Sequence, residues 1–117
     1  MWKEKLALYD KLVELSPKYE RKGKTVPYTS ANGYMFSLLN KDGEFGIRLS
    51  KESGKKFIQE HQTGIFKSHG AVMRDYVLIP DKFFENMELL SAYLDESFNY
   101  VMSLGPKASK KKSQIKK

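Results

Sequence analysis

The sequence predicts an α+β fold in two layers: a five-stranded antiparallel sheet with its helices packed on one face, in the order α-β-β-β-α-β-β-α. Three observations carry that prediction. Between Val26 and Leu49, reading VPYTSANGYMFSLLNKDGEFGIRL, two apolar segments flank Asn40, Lys41, Asp42 and Gly43, residue types that favour turns, so the stretch reads as a β-hairpin. Segments near both ends carry apolar residues at helical spacing. The strands between them are joined by short turns, which favours antiparallel pairing, and amphipathic helices cover one face of such a sheet.

The elements follow in order. Trp2, Leu6, Tyr9 and Val13 recur at spacings of four, three and four, widened by Leu8 and Leu12, which makes residues 2 to 15 an amphipathic helix. Pro17 ends it, since the residue before a proline is pushed out of the helical region. A charged loop, KYERKGKT, follows. Val26 to Ser30 forms a first strand that Pro27 confines to an edge or a strand start, and Asn32 with Gly33 supplies a two-residue turn. In the next strand Tyr34, Phe36 and Leu38 are expected on one face and Met35, Ser37 and Leu39 on the other. Phe45, Ile47 and Leu49 alternate in the same way with Gly46 and Arg48.

Ser50 is an N-cap for a helix from Lys51 to about His61, with Glu52 in its first turn and Phe57 and Ile58 turned inward. Gly64 to Ser68 and Val72 to Ile79 are the last two strands, separated by a turn at His69 and Gly70 and closed by Pro80. Asp81 is expected to cap a brief helical turn holding Phe83 and Phe84. Asn86 caps a final helix in which Leu90, Leu94, Phe98 and Val101 form the apolar stripe, and Gly105 with Pro106 stops it.

Hydrophobic residues make up 40% of the 117 and aromatics 13%, enough for a single core, and residues 1 to 106 are read as one domain. No apolar run approaches the ~20 residues of a membrane span. Charges interrupt the N-terminal segment at regular intervals, unlike a secretory signal, and with the absence of Cys this places the chain in the cytoplasm. Six of the 21 Lys and Arg residues lie between Lys107 and Lys117, leaving fifteen against fourteen acidic side chains in the rest, so the net charge of +7 belongs mostly to the tail. Residues 107 to 117 have too little apolar content to fold alone and are read as a disordered tail.

Four stretches resemble the N-terminal domain of the TfoX/Sxy family of bacterial competence regulators: NGYMFSLL at Asn32 to Leu39, DGEFGIRL at Asp42 to Leu49, GAVMRDYVLIP at Gly70 to Pro80, and YLDESFNYVMSLGPK at Tyr93 to Lys107. The likeness covers nearly the whole chain and corresponds to a single-domain member. These are patterns of glycines and apolar residues rather than catalytic motifs. The resemblance implies a small α+β domain with an antiparallel sheet and a regulatory role.

No nucleophile is paired with a base, and neither a metal cluster nor a phosphate loop is present; together with what the resemblance implies, the chain is read as a non-enzymatic regulatory or adaptor domain with no cofactor or metal and with a protein partner. Arg48, His69 and Asp75 are the one set that can be assembled as a polar site, for acid–base work or to hold an anion; the plainer expectation is an Arg48–Asp75 surface ion pair with His69 in a turn. The alternative function is sequence-indifferent nucleic-acid binding through Lys107, Lys110, Lys111, Lys112, Lys116 and Lys117, whose affinity would fall steeply with salt. A homodimer is a further expectation, because a sheet face that the helices leave uncovered must be hidden or polar.

Overall fold

The structure, a computed structural model, describes residues 2–68 and 70–105. Its elements are α1 (Trp2–Glu14), β1 (Tyr28–Ala31), β2 (Tyr34–Leu39), β3 (Phe45–Arg48), α2 (Lys51–His61), β4 (Ile65–Ser68), β5 (Ala71–Ile79), a 3₁₀ turn (Asp81–Glu85) and α3 (Met87–Ser103). The strands form one antiparallel sheet in the order β1-β2-β3-β5-β4. This is the α+β arrangement and element order that the sequence predicts.

The local turn and cap signals act at their own positions. Asn32 and Gly33 both take positive φ, 56° and 82°, as a two-residue turn matched to the strand twist requires. The Ser50 side chain accepts a hydrogen bond from the Ser53 amide, and Asn86 accepts one from the Leu89 amide, each satisfying a helix-start donor. Asp81 departs from its expected role. Pro80 precedes the 3₁₀ turn without a side-chain cap, and the Asp81 carboxylate instead pairs with the Lys5 ammonium, which draws it toward α1.

One face of the sheet carries the helices. Phe45, Ile47, Val77 and Ile79 from the strands, with Leu49 just past β3, meet Tyr9, Leu12, Phe57, Leu90, Leu94 and Val101, all buried. The predicted alternation in β2 fails at one residue. Thr29 pairs with Ser37 and Ser30 with Met35, so Phe36 has no partner in β1 and bulges. The extra residue turns both Phe36 and Ser37 toward the helices, leaving Met35 and Leu38 on the opposite face. The bulge is held by α3, whose Ser97 hydroxyl donates to the Phe36 carbonyl at 3.2 Å. Ser37 then completes a buried hydroxyl chain, bonding to Tyr9 on α1 and Thr29 on β1.

The opposite face carries a smaller apolar cluster of its own. Leu38, Phe66 and Tyr76 are buried there, with Val26, Tyr28, Met35, Met73 and Leu78 packed around them. The sheet curls to achieve this: the Phe66 ring of β4 lies directly over Gly46 of β3, although β5 stands between those strands. Asn40 at the β2–β3 turn donates to the Lys67 carbonyl at 3.0 Å, and the Tyr76 hydroxyl donates to the Met35 carbonyl. The face that motivated the homodimer expectation is thus covered in part within the chain, with Val26, Tyr28, Met35, Met73 and Leu78 remaining partly exposed.

Two glycines separate packing from propensity. A Cβ at Gly46 would run into the root of the Phe66 ring, which has nowhere to move, whereas a Cβ at Gly54 in α2 would meet Val77 Cγ1 at an ordinary 3.6 Å. Gly46→Ala is expected to cost about 1–3 kcal/mol through overpacking. Gly54→Ala is expected to gain about 0.5–1 kcal/mol by restoring helix propensity. Urea unfolding midpoints of the two variants should move in opposite directions.

Burial pushes the phenol pKa values of Tyr9, Tyr19 and Tyr76 well above the usual value. A raised folded-state value favours the neutral phenol, so this stabilisation is complete below the ordinary pKa of about 10 and is lost as pH rises past it. Absorbance near 295 nm at about pH 11 should report fewer ionised phenols than the seven tyrosines of the chain, with the remainder appearing on adding denaturant.

Candidate functional site

β5 is not a regular strand. Ile65 pairs with Val77 and Lys67 with Val72, so Phe66 alone on β4 stands opposite residues 73 to 76 of β5. The surplus is absorbed by a kink in which Asp75 takes φ 70°, a left-handed conformation that Asp tolerates better than most residues. The Leu49 amide donates to the Asp75 carbonyl at 3.0 Å and fixes the kink against β3. As a result Arg74 and Asp75 are turned toward the start of α2.

Between the kink and α2 lies a groove of about 330 Å³. Gly54, Lys51, Lys55 and Ile58 form its α2 wall, and Ile65, Val72, Tyr76 and Val77 form its sheet wall. Ile65 is 52% and Val72 60% exposed. The other exposed large apolar side chains among the described residues lie apart, Leu15 just past the end of α1 and Leu89 and Met102 on α3, so among the described residues only here do two of them share one concavity. Lys51, Lys55 and Arg74 are exposed around that apolar floor.

Of the predicted polar site, the structure brings two members together. An Arg48 guanidinium nitrogen lies 4.0 Å from an Asp75 carboxylate oxygen, with the side chains 22% and 25% exposed. His69 lies outside the described residues. Arg48 is also engaged elsewhere: its guanidinium lies 5.3 Å from the Tyr34 ring centroid and 5.7 Å from that of Tyr100. Each such contact is worth about 0.5–1 kcal/mol, and together they tie the end of β3 to β2 and α3. Among the described residues its buried Nε has no hydrogen-bond partner. The arrangement is a structural clasp, and what it positions is the Asp75 side of the groove.

Other polar clusters are similarly occupied. Asn32 donates to the Val101 and Leu104 carbonyls at 2.9 and 2.7 Å, closing the C-terminus of α3. Arg21 binds Asp10 through Nε at 2.7 Å. His61, at the end of α2, packs on Phe57 and Phe83, and its Nε2 lies 3.3 Å from the Tyr93 hydroxyl. A larger cleft of about 530 Å³ beside α1 has acidic residues at its rim, but Lys5 crosses it to Asp81 and the Gly43 carbonyl. Among the described residues no group of three His, Cys, Asp or Glu is placed to hold a metal, and no helix is long and apolar enough to cross a membrane. Lys107, Lys110, Lys111, Lys112, Lys116 and Lys117 lie outside the described residues.

No protein-family model and no curated protein matches the chain.

The groove itself was not read from the sequence. Its one advance signal is the polar pair Arg74–Asp75 inside an otherwise apolar strand, which marks the kink. At that kink Asp75→Asn should leave stability within about 0.5 kcal/mol, because Asn also accepts positive φ and a partly exposed pair at the 4.0 Å limit of an ion pair contributes little. Asp75→Val should cost about 1–2 kcal/mol, since a β-branched residue is strained there. Denaturant unfolding of both variants measures the difference.

Proposed function

We propose that this chain is a non-enzymatic regulatory or adaptor domain that works by docking a protein partner in the groove between α2 and the β4–β5 pair. The observation that carries this reading is the pairing of exposed Ile65 and Val72 in one concavity, on a sheet whose other apolar surface is covered in part within the chain. The ionisable groups support it: Lys5, Asp10, Arg21, Arg48, Asp75 and Asp81 are engaged in pairs that tie elements together. The likeness of NGYMFSLL, DGEFGIRL and GAVMRDYVLIP to the TfoX/Sxy N-terminal domain supports a regulatory role in a bacterial cytoplasm. A second reading, nucleic-acid contact through the C-terminal lysines, is favoured by six Lys without a carboxylate between Lys107 and Lys117.

Photocrosslinking tests the docking reading. A benzophenone side chain in place of Val72 should give a discrete protein adduct in cells, one in place of the exposed Lys41 should not, and adding Ile65→Asp should remove the adduct. Equal labelling from both positions, or an adduct indifferent to Ile65→Asp, would overturn it.

A further inference from the structure

We infer that the groove's occupant is an acidic amphipathic helix of a partner protein. This rests on the docking reading above and specifies its chemistry. On the helix-bearing side of the sheet the α-layer ends at α2, while β4 continues beyond it with Ile65 half uncovered. A helix laid beside α2, at the usual interaxial spacing of about 8–10 Å, would cover Ile65 and Val72 and extend the layer over the edge strand. Its apolar stripe would replace water on those two side chains and on Ile58.

Charge selects the sign of that helix. Lys51 and Lys55 lie one turn apart on α2 and Arg74 faces them from the kink, all three exposed. Asp75 is the one carboxylate in the lining, and Arg48 is beside it. Glu or Asp flanking the partner's stripe at i and i+4 would meet the lysine row in register, and basic residues there would be repelled. Strand addition fits less well, because β4 has only four residues and its ladder with β5 is interrupted at Phe66, which leaves a short edge for main-chain pairing.

A displayed library of helix-biased peptides of about 16 residues, some four turns, tests the proposal with the full chain as bait and Val72→Asp as counter-selection. Val72 is exposed, so the variant keeps its fold, which a matching thermal melt verifies. The expected result is enrichment of peptides carrying net negative charge beside an apolar i, i+4 stripe. Lys55→Glu with Arg74→Glu should weaken their binding by about tenfold or more, and added salt should weaken binding to the unaltered chain. Groove-dependent peptides that are neutral or basic, or that ignore the charge reversal, would overturn the acidic assignment while leaving groove docking intact. If no peptide depends on Val72, the docking reading falls with it. If decanoate rather than any peptide shifts the Ile65 and Val72 methyl resonances, the groove is a pocket for a small amphiphile and the proposal is overturned.

Discussion

The contact between Phe66 and Gly46 is the constraint on which the rest of this fold depends. Strands β3 and β4 are not neighbours, yet the ring of one rests on the backbone of the other, which requires the sheet to curl sharply through β5. That curl buries Leu38, Phe66 and Tyr76 on the face without helices. It also gives β5 more residues than β4 can pair, and the excess forms the kink at residues 73 to 76. A glycine is required at the contact point because any Cβ would occupy the space of the ring. One missing side chain on β3 therefore sets the shape of strands on either side of it.

The two faces are stabilised by different means. The helix face is a conventional apolar core that includes the Tyr9–Ser37–Thr29 hydroxyl chain, whose members satisfy one another within the interior, and the buried Ser97 hydroxyl bonded to the Phe36 carbonyl. Such a chain is costly unless complete, since a buried hydroxyl left without a partner loses about 1–3 kcal/mol. Its completion depends on the bulge at Phe36, because regular alternation would have placed Phe36 and Ser37 on opposite faces. The bulge in turn places Phe36 against Tyr19 and Phe98 and presents its carbonyl to Ser97. The back face relies on curvature and on aromatic rings, with no helix of its own.

What the sequence made legible and what it hid divide along the range of the interaction. Turns and caps are decided by neighbours: Asn32–Gly33, Ser50 and Asn86 behave as their local chemistry dictates, and the helices α1, α2 and α3 begin and end close to where spacing and caps place them. The two irregularities are decided by distant partners. Phe36 bulges toward Ser97, 61 residues away, and the β5 kink is tied to Leu49 and shaped by a ring on another strand. No period-2 reading contains that information. Of the candidate polar set, Arg48 and Asp75 do meet, but only because the kink carries Asp75 to the end of β3. Tyr34 and Tyr100, which hold the other side of the guanidinium, gave no signal because they lie 66 residues apart in the chain.

The groove is a consequence of the same geometry rather than a separate feature. Curling β4 over β3 covers part of the back face, but it also swings the edge of the sheet away from α2, the last helix on that side. Ile65 and Val72 are left on the helix-bearing face with no helix to cover them, and the kink that permits the curl places Arg74 at their flank. A longer α2 could not reach them, since Gln62 already turns the chain into a left-handed cap at φ 51° and Thr63 bonds back to the Leu78 carbonyl. The chain between α2 and β4 is only three residues, too short to fold back over the strip. Within the described residues the fold thus creates an apolar strip that its own α2–β4 connection cannot cover, and it surrounds that strip with cations. An occupant from outside the fold must bring both apolar surface and negative charge to satisfy it.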